Sequence, residues 1–377
     1  MTFSVYGCSV NAMKRNEQAA SVTNRRPRIV GTGLIALDVV LDSSSELPSF
    51  IGVGGTCGNV LVILSMLGWD SYPVARLDES PVSNRIREDL AFWRVNLDFA
   101  FSSPSAESPV IIHRIKVDRH GDRYHRFSFN CPTCGSWLPN YKAVVNTVAK
   151  EVAEQIPEKG VFFFDRPSRA SLTLAAATAA KGGVVVFEPV SVGDKKLFVE
   201  ALSISHVLKY SDERFRTSPL DEASDDVVLL EVQTHGAQGL SYRRSTSMSR
   251  EWVNLDALSA ESVADTAGSG DWCSAGMIHK LCDGGLRSFK RKTNKEIKDA
   301  LIFGQTLAAW NCQFEGARGG MYHLDEKAHS DKLSSIISDF ELSDIERSFS
   351  QSLPYDNFQS VKFGCGGTMP LRGTCRS

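Results

Sequence analysis

Short apolar runs that end on a glycine or a carboxylate alternate, along most of this chain, with longer runs of helical period. Residues 28–33 (RIVGTG) read as a first buried strand, and the apolar pattern continues over 34–41. After a glycine break at 52–55, residues 59–67 (NVLVILSML) are apolar on every side and stop at Gly68, the pattern of a buried helix. A strand is predicted over 71–77 and a helix over 83–93. The run VFFF at 161–164 ends on Asp165, and an Ala-rich helix is predicted over 168–180 with Ser168 as its N-cap. The run VVVF at 184–187 ends on Glu188. Further strands are predicted over 206–209 and 227–232, and helices over 272–281 and 295–311. This order predicts a mostly parallel sheet covered by helices, with ligands at the carboxyl ends of the strands, where Asp165, Glu188 and Asp212 lie. As helix caps or solvated loop residues, those three carboxylates also have a plain structural reading.

A different rhythm occupies 110–129. Two alternating runs, VIIHRIKV and RYHRFSF, flank Asp118–Asp122 and predict a β-hairpin with one polar face, suited to a flap over a site. Residues 1–27 are polar and lack the apolar segment of a secretory signal; they read as a loose leader, with an organelle transit peptide as the alternative. Beyond residue 325 the chain is rich in Ser and Asp, with a helix predicted over 331–340 and an irregular Gly-rich stretch over 364–373.

A length of 377 residues allows two or three domains, or one large α/β domain with insertions. With 42% hydrophobic and 23% charged residues, the composition excludes a disordered chain, a collagen-like chain and a small disulfide scaffold. Lys+Arg 42 against Asp+Glu 44 provides no general pull toward nucleic acid or an anionic membrane. No apolar run is long enough for a membrane span. Nine irregularly spaced cysteines read as the reduced thiols of a cytoplasmic protein.

The chemistry concentrates in residues 264–277 (ADTAGSGDWCSAGM). Small residues let successive backbone N–H groups converge where a helix begins, and the helix N-terminus adds partial positive charge. Such a cradle suits a phosphate or a developing anion. Asp271 at its mouth could take a proton from an alcohol while the amides stabilise a transferring group. Read by itself, the residue is equally an N-cap carboxylate after a Gly-rich loop.

Asp265-Thr266-Ala267-Gly268-Ser269-Gly270-Asp271 resembles the D-T-x-G-[AS]-G-D signature of the ribokinase (PfkB) family of sugar and nucleoside kinases. Other segments fall in the family's order. Gly33 followed by Asp38 resembles its first strand and substrate-binding Asp, and Gly54-Gly55-Thr56-Cys57-Gly58-Asn59 resembles its G-G-x-x-x-N segment. Residues 207–215 (VLKYSDERF) resemble the K-x-S-D-E-E stretch of fructokinase-like members, and Thr234-His235-Gly236-Ala237-Gln238-Gly239 resembles the T-x-G-x-x-G nucleotide loop. The resemblance spans about 28–325 and implies a three-layer α/β sandwich with a β lid at about 100–137. It implies transfer of the ATP γ-phosphoryl group to a hydroxyl of a sugar or sugar-like molecule, with Mg²⁺ bridging the phosphates. Asp271 would be the general base, and the amides of Ala267, Gly268, Ser269 and Gly270 the anion hole. Asp38, Gly54, Gly55 and Asn59 would bind the acceptor. Lys209, Asp212, Glu213, Thr234, Gly236, Gly239, Asp265 and Thr266 would serve the nucleotide, and residues 311–319 (NCQFEGARG) fall at the adenine-side loop. A nucleoside kinase is the nearest alternative; a weakened ligand-binding or regulatory subunit is another. Lid strands in this family often pair between subunits, so the resemblance implies a homodimer. Three positions depart from the pattern: a glycine is replaced near Arg76-Leu77-Asp78, Arg214 stands where an acidic residue linked to Mg²⁺ is expected, and Trp272 replaces a small residue.

Cys131-Pro132-Thr133-Cys134-Gly135 resembles one knuckle of a zinc ribbon. Zinc needs two more ligands, for which Cys8, His125, Cys365 and Cys375 are candidates; two unligated thiols are the plainer reading. Cys57, Cys273, Cys282 and Cys312 are expected in the core. His113 and His125 are expected on the hairpin surface, with contact to substrate as the alternative, and Arg119, Arg123 and Arg126 as solvated charges, with an anionic substrate group as theirs.

Overall fold

The computed structural model describes residues 26–42, 48–103, 106–117, 119, 123–222, 227–245, 251–338, 360–362 and 368–370. The first half holds β1 (Arg28–Thr32), β2 (Ala36–Asp42), β3 (Pro48–Gly54), α1 (Thr56–Met66), β4 (Asp70–Pro73), β5 (Ala75–Leu77), α2 (Pro81–Phe92), β6 (Ala100–Ser102), β7 (Val110–Val117), β8 (Arg123–Ser128), α3 (Asn146–Gln155), β9 (Val161–Phe164) and α4 (Arg169–Ala180). The second holds β10 (Val184–Phe187), α5 (Lys195–Ile204), β11 (Val207–Ser211), β12 (Leu230–Thr234), β13 (Leu240–Arg244), β14 (Val253–Leu255), α6 (Ser269–Leu281), α7 (Gly285–Phe289), α8 (Asn294–Asn311) and α9 (Lys327–Ser338). A final two-stranded ladder pairs β15 (Ser360–Lys362) with β16 (Thr368–Pro370).

The central sheet runs β14-β13-β12-β11-β10-β9-β1-β4. Its strands from β4 through β12 are parallel, and β13 and β14 close it antiparallel. Every residue of β9 and β10 is buried, because helices cover both faces of the parallel part. Alternate strand residues feed two cores. Ile29, Val161 and Phe163 pack with α1, α6 and α8, whereas Val30, Phe162 and Phe164 pack with α3, α4 and α5. The result is a three-layer α/β sandwich.

The lid is a separate four-stranded sheet, β3-β2-β7-β8. The predicted hairpin supplies two of its strands. The other two come from residues 36–54, where the apolar run after β1 leaves the main sheet, so the lid takes in chain well before residue 100. Leu37, Val39, Ile51, Val53, Val110 and Ile112 turn one lid face into the main core.

Several boundaries differ from the sequence reading. α1 starts at Thr56, with Gly55 at φ 79 as its N-cap. The strand expected over 71–77 is two: β4 pairs with β1 in the main sheet, whereas β5 pairs with β6. Part of the stretch expected to be irregular, 368–370, is a strand. Among the described residues no helix is long and apolar enough to cross a membrane.

Candidate active site

Asp271 stands in the first turn of α6. The turn is held from behind by Asp265, which is buried and accepts from Ala267 N–H at 2.6 Å and from Gly316 N–H at 2.8 Å. Gly268 caps the helix at φ 74, the left-handed region, and a Cβ there would collide with the Ala317 carbonyl. Trp272, one of the departures from the family pattern, is fully buried, and its indole N–H donates to that same carbonyl at 3.0 Å. The large residue pins the 316–318 loop against the glycine turn. The Ala267 amide, expected in the anion hole, is the one of this turn that donates to the Asp265 carboxylate. Ser269 N–H makes a long bond of 3.3 Å to Thr266 O, while Gly268 and Gly270 N–H have no backbone acceptor among the described residues.

The half-buried carboxyl of Asp271 accepts from Asn59 Nδ2 at 2.7 Å. Burial and then the nearby Glu188 carboxylate push its pKa up to about 7, against the pull of Asn59, Lys209 and Arg214. Glu188 is itself buried and paired with Lys209 Nζ at 2.7 Å, and Ser274 Oγ donates to its other oxygen. Lys209, expected on the nucleotide side, therefore sits beneath the start of α6. Desolvation, the largest influence, opposes its charge, but Glu188, Cys273 and Asp271 together outweigh it and hold the amine protonated.

Among the residues expected to bind an acceptor, Asp38 lies on β2 opposite Gly52 of β3. A Cβ on Gly54 would collide with its carboxyl group, which explains why a glycine follows there. Among the described residues, Asp38 Oδ1 is buried without a hydrogen-bond partner. Burial pushes Asp38 up to about 7, against the Arg318 guanidinium and the Gly55 N–H. Gly54, Gly55 and Asn59 join β3 to α1 beside it. Asp165, by contrast, is a fold residue: fully buried, it accepts Leu34 N–H at 2.9 Å and pairs with Arg166 at 3.3 Å.

At the carboxyl ends of β11 and β12, Asp212 N–H bonds the Thr234 carbonyl at 3.0 Å, and its side chain meets His235 Nδ1 at 2.9 Å. His235 also contacts Ser241 at 2.8 Å, bracing the turn that carries Gly236 and Gly239. Glu213 and Arg214 are exposed at this rim, as is Thr266 nearby.

Arg318 was not singled out by sequence reasoning, although it falls within the segment 311–319. It is 1% exposed, donates through Nε to Asn59 Oδ1 at 3.0 Å and pairs with buried Asp89 at 3.0 Å. Asp89 carried no sequence signal, because an acidic residue in an amphipathic helix looks solvent-facing.

Cys57, Cys273, Cys282 and Cys312 are buried as expected, and so is Cys131; Cys134 is exposed. Gly135 N–H closes the 131–135 turn on the Cys131 carbonyl at 2.9 Å. Among the described residues no group of three or more His, Cys, Asp or Glu could hold a metal ion. Cys8, Cys365, Cys375 and the side chains of Arg123 and His125 lie outside what is described. His113, expected on the surface, is buried against Phe127, with ring centroids 4.9 Å apart. Arg119 and Arg126 are exposed as expected.

Compared with known proteins, the chain matches the model of the pfkB family carbohydrate kinases over residues 50–323. No curated protein matches it. Among solved structures it is similar to ribokinase from Giardia lamblia (14% identity, TM-score 0.61, covering 83% of this chain and 100% of that one). It is also similar to a fructokinase from Vibrio cholerae O395 with fructose, ADP and calcium bound (21%, 0.58, 78% and 94%). A third is the aminoimidazole riboside kinase of Salmonella enterica (17%, 0.58, 82% and 99%). At these identities the structures establish the fold, and the family model establishes the family.

Proposed function

The chain belongs to the pfkB family of carbohydrate kinases, and from that premise we propose that it moves the γ-phosphoryl group of ATP to a hydroxyl of a sugar or sugar-like molecule, with Asp271 as general base. The observation that carries the reading is Asp271 itself: a carboxyl held by Asn59 at the first turn of α6, with Gly268 and Gly270 amides beside it. A pKa of about 7 suits a base at neutral pH. The acceptor oxygen attacks the γ-phosphorus as its proton passes to Asp271, the bond from the γ-phosphorus to the bridging oxygen breaks, and ADP leaves. Partial positive charge at the α6 N-terminus and the free amides of the turn stabilise the equatorial oxygens. The unpartnered Asp38 Oδ1 is suited to accept a hydroxyl of the acceptor, and Gly54 leaves room for that carboxylate.

Glu213 and Asp212 at the rim fit Mg²⁺, which needs only one or two carboxylates besides phosphates and water, and the ion would supply charge neutralisation of the phosphates. Thr234, Gly236 and Gly239 belong to the turn that would meet the nucleotide. A zinc ion on Cys131 and Cys134 would need two further ligands, and metal analysis of untagged protein tests for it. The reading carries a cytoplasmic enzyme and a homodimer through the lid, for which light scattering is the check.

The test is turnover on a panel of sugars and nucleosides with the wild type and Asp271→Asn. Turnover in the variant is expected to fall by about 10³-fold or more while ATP still binds by calorimetry. Wild-type-like turnover in Asp271→Asn overturns the reading.

A further inference from the structure

The Asn59 amide that holds Asp271 is oriented from its far side. Asn59 is 3% exposed, and its Oδ1 accepts from Arg318 Nε at 3.0 Å while its Nδ2 donates to Asp271 Oδ2 at 2.7 Å. A guanidinium only donates, so the amide oxygen must face it and the amide nitrogen must face Asp271. Arg318 is fixed in turn. A terminal nitrogen donates to the Val53 carbonyl and to Asp89 Oδ2 at 3.0 Å. Asp89 also accepts from Val53 N–H at 2.6 Å and from the Tyr322 hydroxyl at 3.1 Å. The chain of bonds therefore runs from lid strand β3 and helix α2, through the loop after α8, to the first turn of α6. All its members except Asp271 are buried or nearly so, which holds the geometry against competition from water.

We propose that Arg318 is a positioning residue for phosphoryl transfer: by locking the Asn59 amide it commits Asp271 Oδ2 to Asn59 and leaves Oδ1 to take the proton of the acceptor. The inference rests on Asp271 being the base. Asn59, Glu188, Lys209, Arg214 and the buried thiol of Cys57 face Asp271, and of these Asn59 is hydrogen-bonded to Arg318. Loss of the lock thus removes one bond that favours ionised Asp271 and leaves the three charges in place.

Arg318→Lys keeps the positive charge between Asp38 and Asp89 but loses the planar fork that reaches Asn59, Val53 and Asp89 together. Its kcat is expected to fall about 10- to 100-fold with KM for ATP within about twofold. The acid limb of its kcat/KM profile is expected to move to higher pH. The double variant Arg318→Gln/Asp89→Asn removes both buried charges. It is expected to recover the wild-type Tm without recovering kcat.

An acid limb and kcat unchanged in Arg318→Lys overturn the proposal. Recovery of kcat together with Tm in the double variant does the same, because Arg318 would then serve only to neutralise Asp89. Loss of folded protein in both variants assigns Arg318 to the fold alone and equally overturns it. Asp271→Asn is assayed in parallel on the same acceptor. An active Asp271→Asn removes the base assignment itself, whereas an inactive one beside an unmoved Arg318→Lys limb removes only the relay.

Discussion

Two aspartates expected at the site are bonded in opposite ways. Asp265 has both carboxylate oxygens bonded to backbone N–H groups of two loops, and it holds the glycine turn and the 316–318 loop as one unit. Asp38 has an oxygen buried with no hydrogen-bond partner among the described residues. A satisfied buried carboxylate stiffens a structure, whereas an unsatisfied one costs stability unless a ligand completes it. On the proposed reading, the transfer wall is finished before substrate arrives and the acceptor wall is finished by it.

The largest effect expected on this contrast, after loss of Asp271 itself, is Gly268→Ala. The substitution strains φ 74 and drives a methyl group into the Ala317 carbonyl, at a cost of about 1–3 kcal/mol. Turnover should fall about 100-fold with a Tm several degrees lower; near-normal turnover would show that the transfer wall is not preset.

Asp38→Asn tests the other wall. KM for the acceptor should rise about tenfold or more with KM for ATP unchanged, as expected for a lost charged hydrogen bond. The same variant should be more stable above pH 7. The folded pKa of Asp38 is about 7 against 3.8 unfolded. Between those values the native state holds a proton that the unfolded chain lacks, so stability falls as pH rises through that window and is flat beyond it. Neutral Asn escapes this loss, and denaturation at pH 8 should show a gain on the order of 1 kcal/mol after allowance for partial exposure.

In the wild type, kcat/KM should fall as pH drops below about 7, where Asp271 and Asp38 take up protons. A flat profile down to pH 5 would contradict the ionised base. The smallest effect belongs to Trp137→Ser on the lid: the ring is 74% exposed, so stability should change by less than about 0.5 kcal/mol with unchanged turnover. A large loss of turnover would move this ring into the acceptor wall.

Much of the fold was legible because it rests on local pattern. The continuous apolar runs of β9 and β10 announce strands buried on both faces, and the Gly-Ser-Gly turn before α6 announces a helix start with free amides. The lid was only half legible. The 110–129 hairpin alternates visibly, but residues 36–54 look like one more buried strand and its turn, and pairing with β7 is a long-range event that no local period encodes. His113 misled for the same reason: a polar residue on an alternating strand reads as exposed until a partner surface covers it.

The sequence by itself determined the α/β layering, the glycine turn and the carboxylates at strand ends, since strand period, helix period and glycine conformation are properties of adjacent residues. Tertiary structure decided which carboxylate does what. It spent Asp165 and Asp265 on backbone N–H groups, paired Glu188 with Lys209, left an Asp38 oxygen unpartnered and brought Arg318 against Asn59. A carboxylate's state depends on burial and on partners hundreds of residues away, and those exist only once the chain has folded.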